Sequence, residues 1–404
     1  MGRSFGTDSV PHTSVRIYLL AILMLICAAP LRVTAQINPT ALQSAPQTPV
    51  ATAPQPYHVV KTIPLSFNPP SGSALALDSA NRRLFIPAKN DIYAVDIDSG
   101  ALAGQVRRVG HVSAIAFAPV INRGFAEDSY GRLIIFDLQT YAVLAKPNAE
   151  GQSFGVVFDP ATKQLFTTGI SSKQCKVFDA LSGKLVKTFN LGGYPFAGVA
   201  DSTGHVYFEL SPDALERWTT MTVGVFWGPA LAQKIAARIV SLDTRTLKLA
   251  DLWSEPSCTS VAGPHGIGID LEYRRLVFAC ENSINSIDAD SGKIISAIQF
   301  QGHHVLSSRF SASLRDVFVL TEKPAQLVVL HENSANTFIF AGIIAPENPS
   351  DMAFDLAGGE FFILKSDEKM VEAPFMIEAH GRISPREIPK PVPGTFRIVV
   401  YGKN

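Results

Sequence analysis

The 404-residue sequence predicts an all-β fold, a seven-bladed β-propeller whose ring is closed by an N-terminal strand that completes the last blade. Three observations point there. A strand ending in Asp and a turn recurs as Val95-Asp96-Ile97-Asp98-Ser99-Gly100, Phe136-Asp137-Leu138-Gln139-Thr140, Phe178-Asp179-Ala180-Leu181-Ser182-Gly183, Leu242-Asp243-Thr244-Arg245-Thr246 and Ile287-Asp288-Ala289-Asp290-Ser291-Gly292. These Asp residues lie 41, 42, 64 and 45 residues apart, and a four-stranded unit that recurs every ~40 to 50 residues cannot bury its faces without neighbours. Ahead of each such segment come a strand of small residues and a strand of aromatic and β-branched ones.

At the amino terminus, Arg3 and Arg16 precede an apolar run from Ile17 to Ala29, then Pro30 and Val33-Thr34-Ala35. Residues 1–35 read as a cleaved secretory signal: the 13-residue run falls short of the roughly 20 needed to span a bilayer, and Val-x-Ala offers small residues for cleavage. The alternative is an uncleaved membrane anchor. Cys27 follows Ile26, where a lipoprotein signal needs a small residue, so lipid attachment is not expected. Residues 36–56 are rich in Ala, Pro, Gln and Thr, too poor in large apolar groups to repay ordering, and read as a disordered linker. The propeller domain is expected over 57–404, in the periplasm or outside the cell, with no membrane span after cleavage.

Blade starts fall near Ala74, Ala114, Phe154, Phe196, His265, Val305 and Ser350. First strands carry Gly and Ala, as in Gly155-Val156-Val157-Phe158 and Gly266-Ile267-Gly268-Ile269, because innermost strands converge on the axis. Second strands such as Arg83-Leu84-Phe85-Ile86 and Arg275-Leu276-Val277-Phe278 suit sheets buried on both faces. The repeated Asp reads as a turn former that accepts backbone N–H groups, with a following Gly at positive φ. In the sixth blade His331 replaces that Asp, so its turn must close differently. His58 to Leu65 reads as a fourth strand without a blade of its own, which predicts closure of the ring through the last blade.

Phe178-Asp179-Ala180-Leu181-Ser182-Gly183-Lys184, followed by Gly192-Gly193-Tyr194-Pro195, and Ile287-Asp288-Ala289-Asp290-Ser291-Gly292-Lys293 resemble the repeats of the YVTN, or YncE-like, β-propellers. Pro195, Pro264 and Pro349 share one register, six residues before Asp201, Asp270 and Asp355. The resemblance covers about residues 57–404 and implies a WD40-like ring; it implies no catalytic set. The naming tetrapeptide is intact in no blade, and lactonase-type and amine-dehydrogenase-type propellers are the neighbouring possibilities.

Two blades exceed the repeat. Between second and third strands, Ser211 to Lys234 contains Trp218 and Trp227, and Asp367 to Gly394 contains Phe375, Met376 and His380. Both inserts should overhang one mouth of the channel, where loops on a rigid scaffold build ligand sites; the alternative for the first is local packing. His111, His265, His303 and His304 precede first strands on the same side and, with Trp218 and Trp227, are the candidate ligand-binding residues. No local metal spacing joins them, so they are expected to line a wet channel; a divalent ion is the one cofactor the side chains would admit, and none is predicted. Glu209, Asp213, Glu281 and Glu322 end second strands or begin the loops after them, positions that could face the mouth. Three cysteines follow the signal, and a Cys258 to Cys280 disulfide with Cys175 a free thiol stands beside the alternative of three buried thiols.

Neither a phosphate-cradling Gly-x-x-x-x-Gly-Lys loop nor a Gly-x-Gly-x-x-Gly turn opening a helix is present. Beyond the signal, 32 basic against 34 acidic residues give a net charge of −2, which does not suit nucleic acid. The sequence thus predicts an exported scaffold, more a binder than an enzyme, that engages a protein, peptide, glycan or small ligand at its decorated face. A metal-assisted hydrolase or lyase of the lactonase type and a subunit of a periplasmic redox complex are the alternatives.

Overall fold

The computed structural model describes residues 57–70, 74–128, 130–149, 155–169, 172–211, 237–255, 266–280, 283–299, 305–321, 326–334, 336–344, 351–355, 358–372, 376–377, 383–384 and 387–403. All the described residues fall within the second of the chain's two units, residues 52–404. The signal and linker lie outside the described residues.

Seven four-stranded antiparallel sheets form the second unit. Six are consecutive: blade 1 opens at Ala76–Asp78, blade 2 at Val112–Ala118, blade 3 at Gly155–Asp159, blade 4 at Tyr194–Ala200, blade 5 at Ile267–Asp270 and blade 6 at Val305–Ser311. Each start lies within two residues of its sequence expectation. Blade 7 takes Asp351–Phe354, Phe361–Lys365 and Arg397–Lys403 from the carboxyl end, and its outermost strand is Tyr57–Pro64. The predicted closure is therefore present, with Tyr57 opposite Lys403 and Pro64 opposite Arg397.

The core lies in the seams. Seven apolar clusters each straddle two neighbouring blades. Alternation along a second strand serves both sides: in blade 7, Phe362 and Leu364 pack toward blade 1, while Phe361 and Ile363 pack toward blade 6. Such strands must be apolar at every position, which is why they read as unbroken runs.

Each repeated Asp does what its position demands. Asp96 accepts the Asp98 and Ser99 amides at 3.1 and 2.7 Å, and Asp137, Asp179, Asp243 and Asp288 make the corresponding bonds. Four residues on, the chain turns through positive φ at Gly100, Gly183 and Gly292, and also at Tyr141 and Leu247. Gly292 is further constrained because the Trp253 ring of blade 4 occupies the space a Cβ would need. Hydrogen bonds from Ser99 hold the Asp96 carboxyl below its ordinary range; the Thr140 amide, the Ser182 side chain, the Thr246 amide and the Ser291 side chain lead in the other four.

A second acid, at the end of the first strand, ties blades together. Arg82 of blade 1 reaches Asp355 of blade 7 at 3.4 Å, Arg274 of blade 5 reaches Asp201 of blade 4 at 3.1 Å, and Arg315 of blade 6 reaches Asp270 of blade 5 at 2.9 Å. All three Arg residues sit at positive φ in the turn after the first strand, which aims them backward across the seam. Burial alone would raise Asp201, but bonds from Thr203, His205 and Arg274 outweigh it and hold the carboxyl far below the usual range.

At His331 the exception resolves. Its Nδ1 lies 2.8 Å from Asp316, and the same buried carboxylate accepts the Tyr57 hydroxyl at 2.9 Å and Lys403 Nζ at 2.7 Å. One acid of blade 6 thus holds both chain ends that meet in blade 7. Burial, then the Asp316 charge, pushes the Tyr57 phenol well above its ordinary value.

Two outcomes follow from this architecture. Deleting residues 57–66 should broaden and lower thermal unfolding of the whole ring, and Asp316→Ala, which strands the Tyr57 hydroxyl, should cost about 2 kcal/mol in denaturant titration; an unchanged melt after the deletion would refute closure. The lowered carboxylates contribute stability that is complete above the ordinary Asp range and is lost as pH falls through their folded values. Melting temperature should therefore drop on acidification from about pH 5 to 2, less steeply in Asp179→Asn/Asp288→Asn, which keeps the turn acceptors without the charge.

Candidate functional site

Second strands of all blades run the same way, so their C-terminal ends define one face, together with the starts of the first strands. Both long inserts leave from it. In blade 4 the second strand is His205–Ser211 and the third resumes at Ala237; in blade 7 the corresponding strands are Phe361–Lys365 and Arg397–Lys403. Residues 212–236, with Trp218 and Trp227, lie outside the described residues, as do His265, His303, His304, Cys258, Asp213, Glu281 and Glu322.

The insert of blade 7 is a β-arm rather than a plain loop. Glu368–Glu372 pairs antiparallel with Glu387–Pro391, and Met376–Ile377 pairs with Ile383–Ser384 farther along. Its root is fixed: Arg397 donates to Asp367 Oδ1 at 2.8 Å, the Asp367 amide donates to Thr395 Oγ1 at 2.9 Å, and the Gly394 amide donates to Asn68 Oδ1 at 2.8 Å. Met370 is 56% exposed on it. The pairing was hard to read in the sequence, since three prolines interrupt the returning half.

His111 is exposed immediately before the first strand of blade 2. Beside that strand, Asp128 caps the next hairpin by accepting the Tyr130 and Arg132 amides at 3.0 and 2.9 Å and Arg132 Nε at 2.6 Å. Tyr130 consequently projects at 78% exposure, with the Arg132 guanidinium 5.9 Å from its ring centre. This aromatic was missed in the sequence, where its only signal was a large ring inside an Asp-initiated turn.

Glu209 corrects an expectation. It does not face the mouth; it is buried in the seam toward blade 5, on the same side of its strand as Tyr207. Burial raises its carboxyl well above the ordinary value, with the Gly266 amide and the Arg309 charge opposing that only in part. Neither oxygen has a hydrogen-bond partner of ordinary geometry, so the Gly266 contact is a weak one. Glu127 occupies the equivalent place in blade 2, four residues beyond the one paired with the third-strand Asp, and is likewise buried.

Cys280 is disulfide-bonded, its sulfur accepting from Asn285 Nδ2 at 2.9 Å. Cys175 is a free, buried thiol that burial, with a smaller contribution from Glu127, pushes far up. Among the described residues no group of three or more His, Cys, Asp or Glu side chains is placed to hold a metal ion, and no helix is long and apolar enough to cross a membrane. The text Gly151-Gln152-Ser153-Phe154-Gly155 spells Gly-x-Ser-x-Gly, but Gly155 opens a strand, not the helix that a nucleophile elbow requires.

Inside the ring, first strands of neighbouring blades touch and form the channel wall. An opening of about 300 Å³ there is lined by Leu75, Ala76 and Leu77 of blade 1, Ile115 and Phe117 of blade 2, Arg309 of blade 6, and Met352, Ala353 and Phe354 of blade 7.

No protein-family model matches the chain, and no curated protein matches it in sequence. Solved structures do match in fold. The WD40 repeats of RRP9 superpose with a TM-score of 0.60 at 13% identity, covering 77% of this chain and 91% of that one. U3-55K gives 0.59 at 12%, covering 78% and 92%. A chain of a mitotic checkpoint complex gives 0.61 at 10%, covering 82% and 95%. At such identities the likeness is one of fold: this chain is a seven-bladed β-propeller with WD40-repeat structural neighbours.

Proposed function

We propose that this protein is an exported binding scaffold of the YVTN, YncE-like kind that engages a protein or peptide partner at its decorated face. One observation carries the reading: the second strands that precede the two long inserts end on the same face, at Ser211 of blade 4 and at Lys365 of blade 7, where the arm rooted at Asp367 departs. A rigid ring with an arm on the face where the Trp-bearing insert begins suits recognition, since Trp and Tyr anchors dominate protein interfaces. The likeness in fold to the WD40 repeats of RRP9 supports a partner-binding role. Export is supported by the apolar leader and by a disulfide at Cys280, for such bonds persist in oxidising compartments. We assign the partner cysteine as Cys258.

Replacing residues 368–391 by a short Gly-Ser turn, and separately Trp218→Ala and Trp227→Ala, should each reduce partner capture from envelope extract by about tenfold while the melting temperature holds. Capture of an identical set of proteins by all three variants and the parent would end the scaffold reading. Non-reducing peptide mapping should recover a cross-link between Cys258 and Cys280, with Cys175 alkylated only after unfolding; alkylation of Cys258 in the native, unreduced protein would remove that pairing.

A further inference from the structure

We infer a second binding site on the face opposite the inserts, a cleft between blades 5 and 6 where Asp288 receives the guanidinium of an arginine-like ligand, a planar cation carried on an aliphatic stem. The cleft has a volume of about 540 Å³, and Tyr273, Asp288, Ser291, Ile294 and Asn336 are among its walls. It stands independently of the decorated face. Tyr273 lies in the turn after the first strand of blade 5, Asp288 ends that blade's third strand, and Asn336 lies in the turn between the last two strands of blade 6, all at the other side of the ring.

The repeat itself shows which group belongs beside the turn Asp. Strand pairing sets an Arg opposite it in three blades: Arg83 opposite Asp96, Arg123 opposite Asp137 and Arg275 opposite Asp288. In blade 1 the Arg83 guanidinium donates to Asp96 Oδ2, and in blade 2 Arg123 Nη1 lies 3.6 Å from Asp137 Oδ2. Blade 5 breaks the pattern. Its Arg275 is drawn across the seam to Glu332 of blade 6, lies 3.7 Å from Asp270, and donates to the Ser334 carbonyl at 3.3 Å. The buried residue that follows the third-strand position in the next blade explains the difference. It is Leu138 beside blade 1 and Ala180 beside blade 2, but Glu332 beside blade 5. An apolar neighbour leaves the Arg on its own Asp, whereas a buried acid demands a cation.

Asp288 is thereby left with an open side. Its Oδ1 accepts the Asp290 and Ser291 amides at 3.2 and 2.8 Å and the Ser291 hydroxyl at 2.6 Å, while among the described residues no cation lies within 4 Å of the carboxylate. Arg274, which acts on it at longer range, is held by Asp201 and Asp290. Arg275 does not present its charge to the cleft either: Nε and Nη1 are shielded from solvent, and the guanidinium lies 5.1 and 5.7 Å from the Tyr273 and Phe338 ring centres. Lys293 is exposed at the rim. Arg275, Lys293 and Arg315 face Asp270, Glu272, Asp288 and Glu332, so three positive groups against four negative ones leave a formal charge of −1 that favours a cation. Ile294, 41% exposed, gives an aliphatic stem an apolar wall, and Asn336 brings a side-chain amide oxygen as a further acceptor. A guanidinium suits such a site better than an ammonium, being planar and less strongly hydrated.

The test is calorimetric titration of the full chain with Nα-acetylarginine amide, beside the citrulline analogue, which puts a neutral urea of the same shape in place of the cation, and propylguanidine. The arginine derivative should bind saturably at millimolar concentration, at least about fivefold more tightly than the citrulline one; whichever of it and propylguanidine binds tighter tells a peptide-borne side chain from a free guanidinium compound. Asp288→Asn, which keeps the turn acceptor, should remove the preference for charge, and Lys293→Ala should strengthen binding. Asp96→Asn, at a carboxylate that Arg83 already covers, should change nothing. Glu332→Leu should release Arg275 to Asp288 and abolish binding. The chain lacking residues 368–391 should bind like the parent, which separates this site from the decorated face. Absence of saturable binding, equal affinity for the arginine and citrulline derivatives, or tighter binding of inorganic phosphate would each overturn the proposal, and all three are read on the parent protein.

Discussion

The pairing of Tyr57–Pro64 with Arg397–Lys403 is the contact on which the ring depends, because it turns seven stacked sheets into a structure with no free flank. Every blade buries both faces against its neighbours, so a missing seam would expose two apolar faces at once. The closing strand also brings Ile63 into the cluster shared by blades 7 and 1, where Leu65 follows it, and Tyr57 into the cluster shared by blades 6 and 7. One eight-residue strand thus contributes to two seams. Asp316 adds direction to that apolar contact, since one oxygen of its buried carboxylate accepts from both Tyr57 and Lys403 while the other lies against His331.

Around the remaining ring, polar contacts set the angle between blades that apolar packing leaves loose. The backward-reaching Arg residues do so at three seams. Lysines do it elsewhere: Lys146 Nζ donates to the Arg108 carbonyl and Lys187 Nζ to the Leu247 carbonyl, each at 2.6 Å. Buried ion pairs add little net stability against an apolar alternative, yet losing one partner is expensive. Their effect here is to penalise any rotation of one blade against the next. That rigidity matters for function, because projections on a stiff frame keep their spacing.

How much of this was legible in the sequence depends on the range of each interaction. The Asp turns are local, closing within three or four residues, and could be read from Asp96, Asp137, Asp179, Asp243 and Asp288 directly. Tyr141 and Leu247 were not legible as left-handed residues, because the turn imposes a conformation their side chains disfavour. The Arg clamps were missed for another reason: Arg82 and Asp355 are 273 residues apart, and only the closed ring makes them neighbours. Glu209 was misplaced because a strand-end carboxylate ordinarily seeks water, whereas period-two alternation turned it into a seam. The arm escaped notice since Pro389 and Pro391 argue against a strand, although a two-stranded ribbon tolerates proline on the side without a partner.

The two buried glutamates show how the repeat separates structure from chemistry. At the register of Glu127 and Glu209, blades 1, 3, 5 and 6 carry Pro87, Thr168, Ala279 and Leu320, so the position itself asks only for a residue that fits a seam. An ionised carboxylate there would be penalised heavily, and a protonated one much less. Burial therefore shifts the Glu209 carboxyl upward before any ligand is considered.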